Sequence, residues 1–582
     1  MPIIEDLTYI FQNAFESCGY DSSYGNVVES NMPEIQFQVN GALPLAKKLK
    51  MNPRVIANKI IDSLDDKLIF RELSIGGPGF INVNITDKYL VDNVNKLLKD
   101  VRIGCKKYKV QQKVIIDFGG PNVAKPMHVG HLRSSIIGDS LVRLFRFMGA
   151  NVVSDVHLGD WGTQMGMLIT ELKGRSPELS YFDVEFSGDY LETSPVSIDD
   201  LEAMYPLANA RCKADPNEMR EALKATSELQ AGRKGYLELW KHFVSISIQT
   251  LKNDFDLLGV KFDEWNGEST YHELIPEMIN DLSEKGFVSK SKGLNVINVS
   301  EENIPPLILT KSDGSYLYST TDLATIKDRV DSLNAELVLY VVDKRQALHF
   351  KQVFLAAKKT GISKETQLEH IAFGTVNGKD GKPFKTRSGG VMKLQDLIRM
   401  ANQKALERLE EMGLGEQYSE DECVEIAKRV GLAALKFADL KNPRMTDYIF
   451  DLDSFMKFEG RTGPYLLYSA VRIKSILKKS NKLGLKPGKL IMPKTKEERE
   501  LLIELTKLPD ATLSAYKSRE PSILCSFIYN LSQKINSFYA KNHILREEDD
   551  SQQESWLSVL ELCLKQYELV LGILGITIPE KM

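Results

Sequence analysis

Apolar residues recur along this chain at several spacings, and each spacing marks a different kind of segment. Between residues 44 and 64 (PLAKKLKMNPRVIANKIIDSL) they return every three or four positions, which predicts helix around a restart at Pro53. Residues 68–75 and 80–85 are β-rich runs separated by Gly76-Gly77-Pro78-Gly79, so they read as two strands and a turn. A polar, basic stretch at 98–112 links this α+β start to the next segment. Lys113–Phe118 (KVIIDF) is short, continuous and β-branched, as a strand buried on both faces should be. A loop of Gly, Pro and Asn comes next, then a helix from about His128 to Met148 ended by Gly149, then a strand at 152–156. Strand, helix, strand with a glycine-bearing first loop is a βαβ unit. Residues 175–225, acidic and bearing Ser and Pro, interrupt the rhythm and read as an insertion. It resumes as a strand at 336–342, a helix at 346–359 and a strand at 370–376. From about residue 400 the pattern is helical, most strongly at 497–516, 521–543 and 553–573.

These shifts divide the chain into an α+β module (1–105), an α/β domain with insertions (106–450) and a helical bundle (451–582). The α/β domain is expected to be a Rossmann-type, doubly wound parallel sheet. A chain of 582 residues is too long for one compact domain, so the division suits its length. The 43% hydrophobic and 26% charged content is that of an ordinary globular protein. A net charge of -4 excludes a global basic field, so any nucleic acid must be met by local patches. The six cysteines (18, 105, 212, 423, 525 and 563) form no CxxC pair, which argues against zinc and for free thiols in a reducing cytoplasm. No run of about eighteen apolar residues predicts a membrane span, and Met1–Asp6 lacks the basic and apolar regions of a signal peptide.

The sharpest chemical feature is His128-Val129-Gly130-His131, at the start of the first helix of the βαβ unit. As a tetrapeptide it could arise by chance. As an i, i+3 pair it could hold a metal, although no third and fourth ligand are evident nearby. The third reading is phosphate binding. Free amides and the dipole at a helix N-terminus favour an anion, imidazole N–H groups add donors, and Gly130 would let a nucleotide approach the backbone. No Walker A sequence occurs, so ATP would sit outside the carboxyl end of the first strand rather than in a P-loop.

Asp117–His131 (DFGGPNVAKPMHVGH) with Leu132–Asp139, then His157–Gln164 (HLGDWGTQ), then Gly381–Gly390 (GKPFKTRSGG) together resemble the class I arginyl-tRNA synthetases. The likeness runs the length of the chain. It implies ATP, entering with Mg²⁺, as a substrate bound by His128, Gly130, His131, Lys385 and Arg387. Pro383–Arg387 takes the place of the family's KMSKS loop with one lysine and one arginine, and Lys125 is implied as the missing cation. His128, His131, Lys125 and Lys385 would serve catalysis. L-arginine would be held by Asp117 and Asn122 at its amino and carboxylate end. Tyr318, Asp322 and Gln346 would hold the guanidinium, with Asp322 as its partner. Read singly, Asp322 could equally be a helix N-cap. Tyr318 and Gln346 could be ordinary half-buried residues. Trp161 is more often packing than ligand, though its Gly-Asp-Trp-Gly setting suits a site. No general base is needed, since the attacking carboxylate is already ionised, so catalysis reduces to positioning and charge stabilisation.

From Arg461 to Lys496 there are ten basic residues and no acidic one, including Arg472 and Lys474. Such a run can be a solvated helix face or a phosphate track. The resemblance favours the second for an arginine-accepting tRNA. It adds Tyr465, Tyr468 and the terminal Met582 as anticodon-side contacts, and a start whose module meets the tRNA corner. Phe70, Phe80 and Asn82 in that module are tempting contacts, yet strand aromatics are more often core. A monomer is expected, and the likeness implies that arginine activation waits for tRNA. The rivals are a small-molecule nucleotidyltransferase, which would not need the basic helical domain, a related synthetase such as the cysteine enzyme, which would want zinc ligands, and a catalytically dead RNA-binding paralogue.

Overall fold

The computed structural model describes residues 2–299, 304–310, 316–382, 384, 392–413 and 418–582. The chain separates into two compact units, one of residues 1–107, 458–572 and 577–582, the other of residues 108–457 and 573–576.

The larger unit is built on four parallel strands: β1 (Lys113–Phe118), β2 (Asn151–Asp155), β3 (Leu337–Val341) and β4 (Gln367–His370). Their spatial order is β4-β3-β1-β2. From β1 the chain moves outward to β2, and later from β3 outward to β4 on the other side. The winding therefore reverses between β1 and β3, and ligands gather outside the carboxyl ends of the strands at such a point. Val114–Phe118 and all of β3 are buried, which is why neither run alternates in polarity.

Seven helices of this unit matter for the site: α1 (Val129–Met148), α2 (Thr163–Arg175), α3 (Ile198–Ala214), α4 (Tyr318–Asp331), α5 (Ala347–Lys359), α6 (Leu394–Glu411) and α7 (Glu420–Leu440). A Cβ at Gly138 would lie 2.1 Å from Phe118 Cγ, so only glycine lets α1 rest against β1. Arg133, 2% exposed, ties α1 to α7 through Asp439 at 3.2 Å and to the Thr446 carbonyl at 3.0 Å. The Tyr448 hydroxyl donates to the same carboxylate at 3.0 Å. The expected insertion folds as α3 and a second helix, Pro216–Gln230, packed on α2 around Met165, Leu168, Leu201, Met204 and Leu229.

The strand expected at 370–376 lies earlier, at Gln367–His370, and shares only His370 with that span. The Ile371 amide still donates to the Tyr340 carbonyl, but those of Gly374 and Thr375 turn to the Arg444 carbonyl and the Asp447 carboxylate. The backbone thus leaves the sheet, and Val376–Asn377 pairs instead with Tyr448–Ile449.

In the other unit, four antiparallel strands (Val27–Glu29, Phe37–Val39, Phe80–Ile85 and Phe70–Gly76, in that spatial order) carry helices on either side in sequence. Phe70 and Asn82 are buried there. The helix expected over 44–64 is two helices, Ala42–Leu49 and Pro53–Asp62. Lys50 turns left-handed after the first, and the Asn52 side chain caps the second. The helix expected over 497–516 also breaks, into Lys496–Leu505 and Leu508–Ser518, with Pro509 in the first turn of the latter.

Candidate functional site

α1 begins at the carboxyl end of β1, and its first turn is closed by its own histidines. The Nδ1 of His128, the N-cap, accepts from the Gly130 amide at 3.0 Å. The Nδ1 of His131 accepts from the His128 amide at 3.1 Å. The Val129 amide donates to the Met392 carbonyl and the His131 amide to the His128 carbonyl. The amides expected to be free for an anion are therefore taken, which corrects the reading of this helix end as a bare phosphate cradle. Gly130 also acquires a different reason: a Cβ there would lie 2.7 Å from His128 Cε1, so its smallness makes room for that ring.

What remains for a ligand is the imidazole edge. With both Nδ1 atoms accepting, each neutral ring carries its proton on Nε2. Both rings are held neutral. Burial first, then the Lys125 charge, lowers the His128 pKa, while burial, His128 and Lys125 push His131 down to about 3. The rings lie 4.1 Å apart, so the sequence presents two neighbouring N–H donors. Lys125 stands close by with its ammonium 4.2 Å from the centroid of the Tyr205 ring on α3.

Asp117, at the end of β1, meets an arginine of the chain itself. Arg329 on α4, 1% exposed, donates to Asp117 and to Asp155 at 2.7 Å each. Asp117, Asp155 and His157 come within metal-ligand range of one another, but this guanidinium already holds both carboxylates. Burial raises the Asp117 pKa against the opposing pull of Arg329. α4 is pinned at its other end too, where Ser319 and Thr320 donate to the carbonyls of Ile308 and Leu309 at 2.7 and 2.5 Å. Arg329→Lys keeps the charge but loses the planar guanidinium whose Nη2 meets both carboxylates. It is expected to lower unfolding free energy by about 1–2 kcal/mol, read by denaturant titration.

Beside the β1–α1 loop lies a cavity of about 350 Å³ lined by Asn122, Trp161, Gln164, Glu268, Tyr316 and Tyr318 among others. Its described lining carries one carboxylate, Glu268, and no lysine or arginine. Burial raises the Glu268 pKa to about 7, with Asp160 and Asp322 adding to the effect and His157 opposing it. Asn122 and Tyr318 thus share one cavity with Trp161. Asp322 adjoins the lining residue Thr321, and its carboxylate meets His349 Nε2 at 2.6 Å. It is not an N-cap, because α4 begins four residues earlier. Gln346 is exposed at the start of α5, outside the cavity lining. Lys385 and Arg387 lie outside the described residues, but the segment that comes after them, from Met392 on, is anchored at the histidines. The Leu394 amide donates to the Met127 carbonyl at 2.9 Å, and His128 bridges to Lys393.

In the other unit the expected tRNA contacts separate. Tyr468 is 40% exposed, whereas Tyr465 is 8% exposed with its hydroxyl accepting from Gln533 and Asn536. Met582 is buried. Arg472 stacks 3.8 Å from the Tyr539 ring centroid, and Lys474 pairs with Glu580 at 2.8 Å, so the acid-free run meets an acid from the chain's end.

Sequence reasoning missed Glu268, Arg329 and His349. Glu268 reaches the cavity because 264–267 bridges to 155–158, with the Leu158 amide donating to Asn266 and that of Glu268 to Leu158. No local periodicity announces a pairing over a hundred residues apart. Arg329 had one available signal, an arginine on the helix that also bears Tyr318 and Asp322.

Known proteins share this organisation. Residues 93–452 match the class I tRNA synthetase (R) catalytic domain, 466–582 the DALR anticodon binding domain and 5–85 the arginyl tRNA synthetase N-terminal domain. The chain is 46% identical to an arginine–tRNA ligase of Alkaliphilus oremlandii and 47% identical to one of Maricaulis maris, in each case over all of both chains. Among solved structures it resembles arginyl-tRNA synthetase of Plasmodium falciparum (TM-score 0.82, 27% identity), covering 100% of this chain and 99% of that one. It shares its fold with the Thermus thermophilus enzyme (TM-score 0.80, 21% identity, both chains covered in full).

Proposed function

Because the chain belongs to the arginyl-tRNA synthetases, we propose that the Glu268 cavity takes the arginine side chain and that the Nε2–H edges of His128 and His131 take the ATP phosphates. The chain is an arginine–tRNA ligase: it joins arginine to AMP with release of pyrophosphate, then passes the arginyl group to the terminal adenosine of its tRNA. The observation that carries the site reading is a half-buried carboxylate, Glu268, alone among uncharged residues of the described lining. A guanidinium is permanently charged, and a half-buried acid whose ionisation is penalised gains most from such a partner. Tyr318 and Asn122 would line the same ligand, with Asp322, fixed by His349, as the second acid nearby.

Arginine's carboxylate attacks the α-phosphorus while the bond to the pyrophosphate oxygen breaks. The chain's own groups need only place the two substrates and spread the charge. Two neutral N–H donors suit phosphoryl oxygens without taking part in proton transfer. Lys125, with Lys385 and Arg387, would serve the departing pyrophosphate. Mg²⁺ would enter as the partner of ATP. The Asp117–Asp155–His157 trio does not fit a resident metal, since Arg329 occupies its carboxylates. Asp117, so held, would face the substrate's ammonium, and Gln346 would close the guanidinium end.

We assign tRNA binding to the helical region and the N-terminal module, with Tyr468, Arg472 and the basic run 474–489 as the outer face and Tyr465 and Met582 as its framework. No helix among the described residues is long and apolar enough to cross a membrane, and none of the six cysteines is joined in a disulfide. The reading includes a monomer acting in the cytoplasm. Charging of arginine-accepting tRNA with labelled arginine, against lysine as control, tests it: the arginine ester forms and the lysine ester does not.

A further inference from the structure

We propose that the inserted helix α3 is part of the ATP site, with Tyr205 positioning Lys125 and Glu202 positioning Lys393 on either side of the histidine pair. This rests on the reading of His128, His131 and Lys125 as the phosphate-facing groups. Four observations carry it. The Lys125 ammonium lies 4.2 Å from the Tyr205 ring centroid. Lys393 Nζ lies 2.6 Å from Glu202 Oε2, a carboxylate only 15% exposed. Lys393 sits where the backbone bridges to His128, so both lysines flank the same first turn of α1. Finally, Glu202 and Tyr205 are three residues apart on α3, and neighbours at that spacing share a face.

The packing of α3 explains why that face is turned to the site. Leu201 and Met204 are buried against Met165, Leu168 and Ile169 of α2. Glu202 and Tyr205 border this apolar stripe. Pro206, inside α3, has no amide to give the Glu202 carbonyl, which loosens the helical ladder where the two contacts are made. An aromatic face attracts an ammonium without neutralising it, so Lys125 is held in one place and keeps its charge. A carboxylate at that position would quench it. Glu202 does the opposite at Lys393, pairing the cation that comes after the Pro383–Arg387 loop and keeping it off the phosphates until ATP competes for it.

The test is a set of variants read by ATP–pyrophosphate exchange in the presence of arginine and its tRNA, with the full chain. Tyr205→Leu keeps bulk and loses the ring face. It is expected to raise KM for ATP about five- to tenfold, the range of a partly desolvated cation–π contact, with KM for arginine unchanged. Tyr205→Phe, which retains the face, should restore it. In a Lys125→Met background the Tyr205→Leu effect should vanish, a result that a general folding defect would not give. The thermal midpoint of each variant is measured alongside. If Tyr205→Leu leaves KM for ATP unchanged, or raises it equally with and without Lys125, Tyr205 does not position that lysine and the proposal fails while the reading of the site stands. If Lys125→Met alone leaves ATP use untouched, the reading of Lys125 itself fails, and the proposal with it.

Discussion

Replacing Glu268 by glutamine is expected to raise KM for arginine about a hundredfold, corresponding to about 3 kcal/mol for removing one member of a desolvated charge pair. Glutamine matches the shape but removes the only carboxylate of the described lining, leaving Asp322, outside that lining and paired with His349, as the nearest counter-charge. KM for ATP should hold. The wild-type enzyme should also show a pH signature. Burial lifts the Glu268 pKa to about 7, so below that pH the site is mostly protonated and a guanidinium must displace a proton to bind. KM for arginine is therefore expected to climb toward about tenfold per pH unit as pH falls below 7 and to level off above it. In Glu268→Gln that slope disappears. The folding contribution has the opposite sense: a carboxyl with a raised pKa favours the folded state at low pH and loses that contribution as pH rises through about 7. A pH-independent KM in the wild type would mean that another group meets the guanidinium.

His131→Ala is expected to lower kcat for arginine-dependent exchange by about a hundred- to a thousandfold, the range found for losing one donor to a developing oxyanion. Its thermal stability should fall only slightly, since the capping bond lost is worth about 1 kcal/mol. Because burial and His128 hold the His131 pKa down at about 3, the ring is neutral across the working range, and kcat should show no titration of His131 between pH 6 and 9. A histidine acting as a base or as a cation would leave such a titration. An activity loss in His131→Ala that matched a collapse in thermal midpoint would also overturn the assignment, by making the residue a structural cap and nothing more.

Much of the catalytic unit was legible because the signals were local. KVIIDF is a buried strand by its lack of alternation, the Gly149 stop and the histidine start frame α1, and the edges of β1, β2 and β3 fell within a residue. What failed did so where backbone bonding left the expected partner. Gly374 and Thr375 turn to the Arg444 carbonyl and Asp447, so the strand expected over 370–376 lies instead at Gln367–His370. The restart at Pro53 was legible, but the helix over 497–516 broke before Leu508, where a proline in the next first turn overrides the apolar period. At the site, residue type foretold the histidine pair but not its internal bonding, which consumes the amides that composition alone would offer to phosphate. Glu268 was invisible for a deeper reason: its placement depends on a bridge between 264–267 and 155–158, and nothing in either segment names the other.

The most direct test of the whole account is arginine-dependent ATP–pyrophosphate exchange, measured with and without arginine-accepting tRNA and with lysine as control. The account predicts exchange with arginine when the tRNA is present and none with lysine. Failure of the folded chain to exchange with arginine even when the tRNA is present would contradict it.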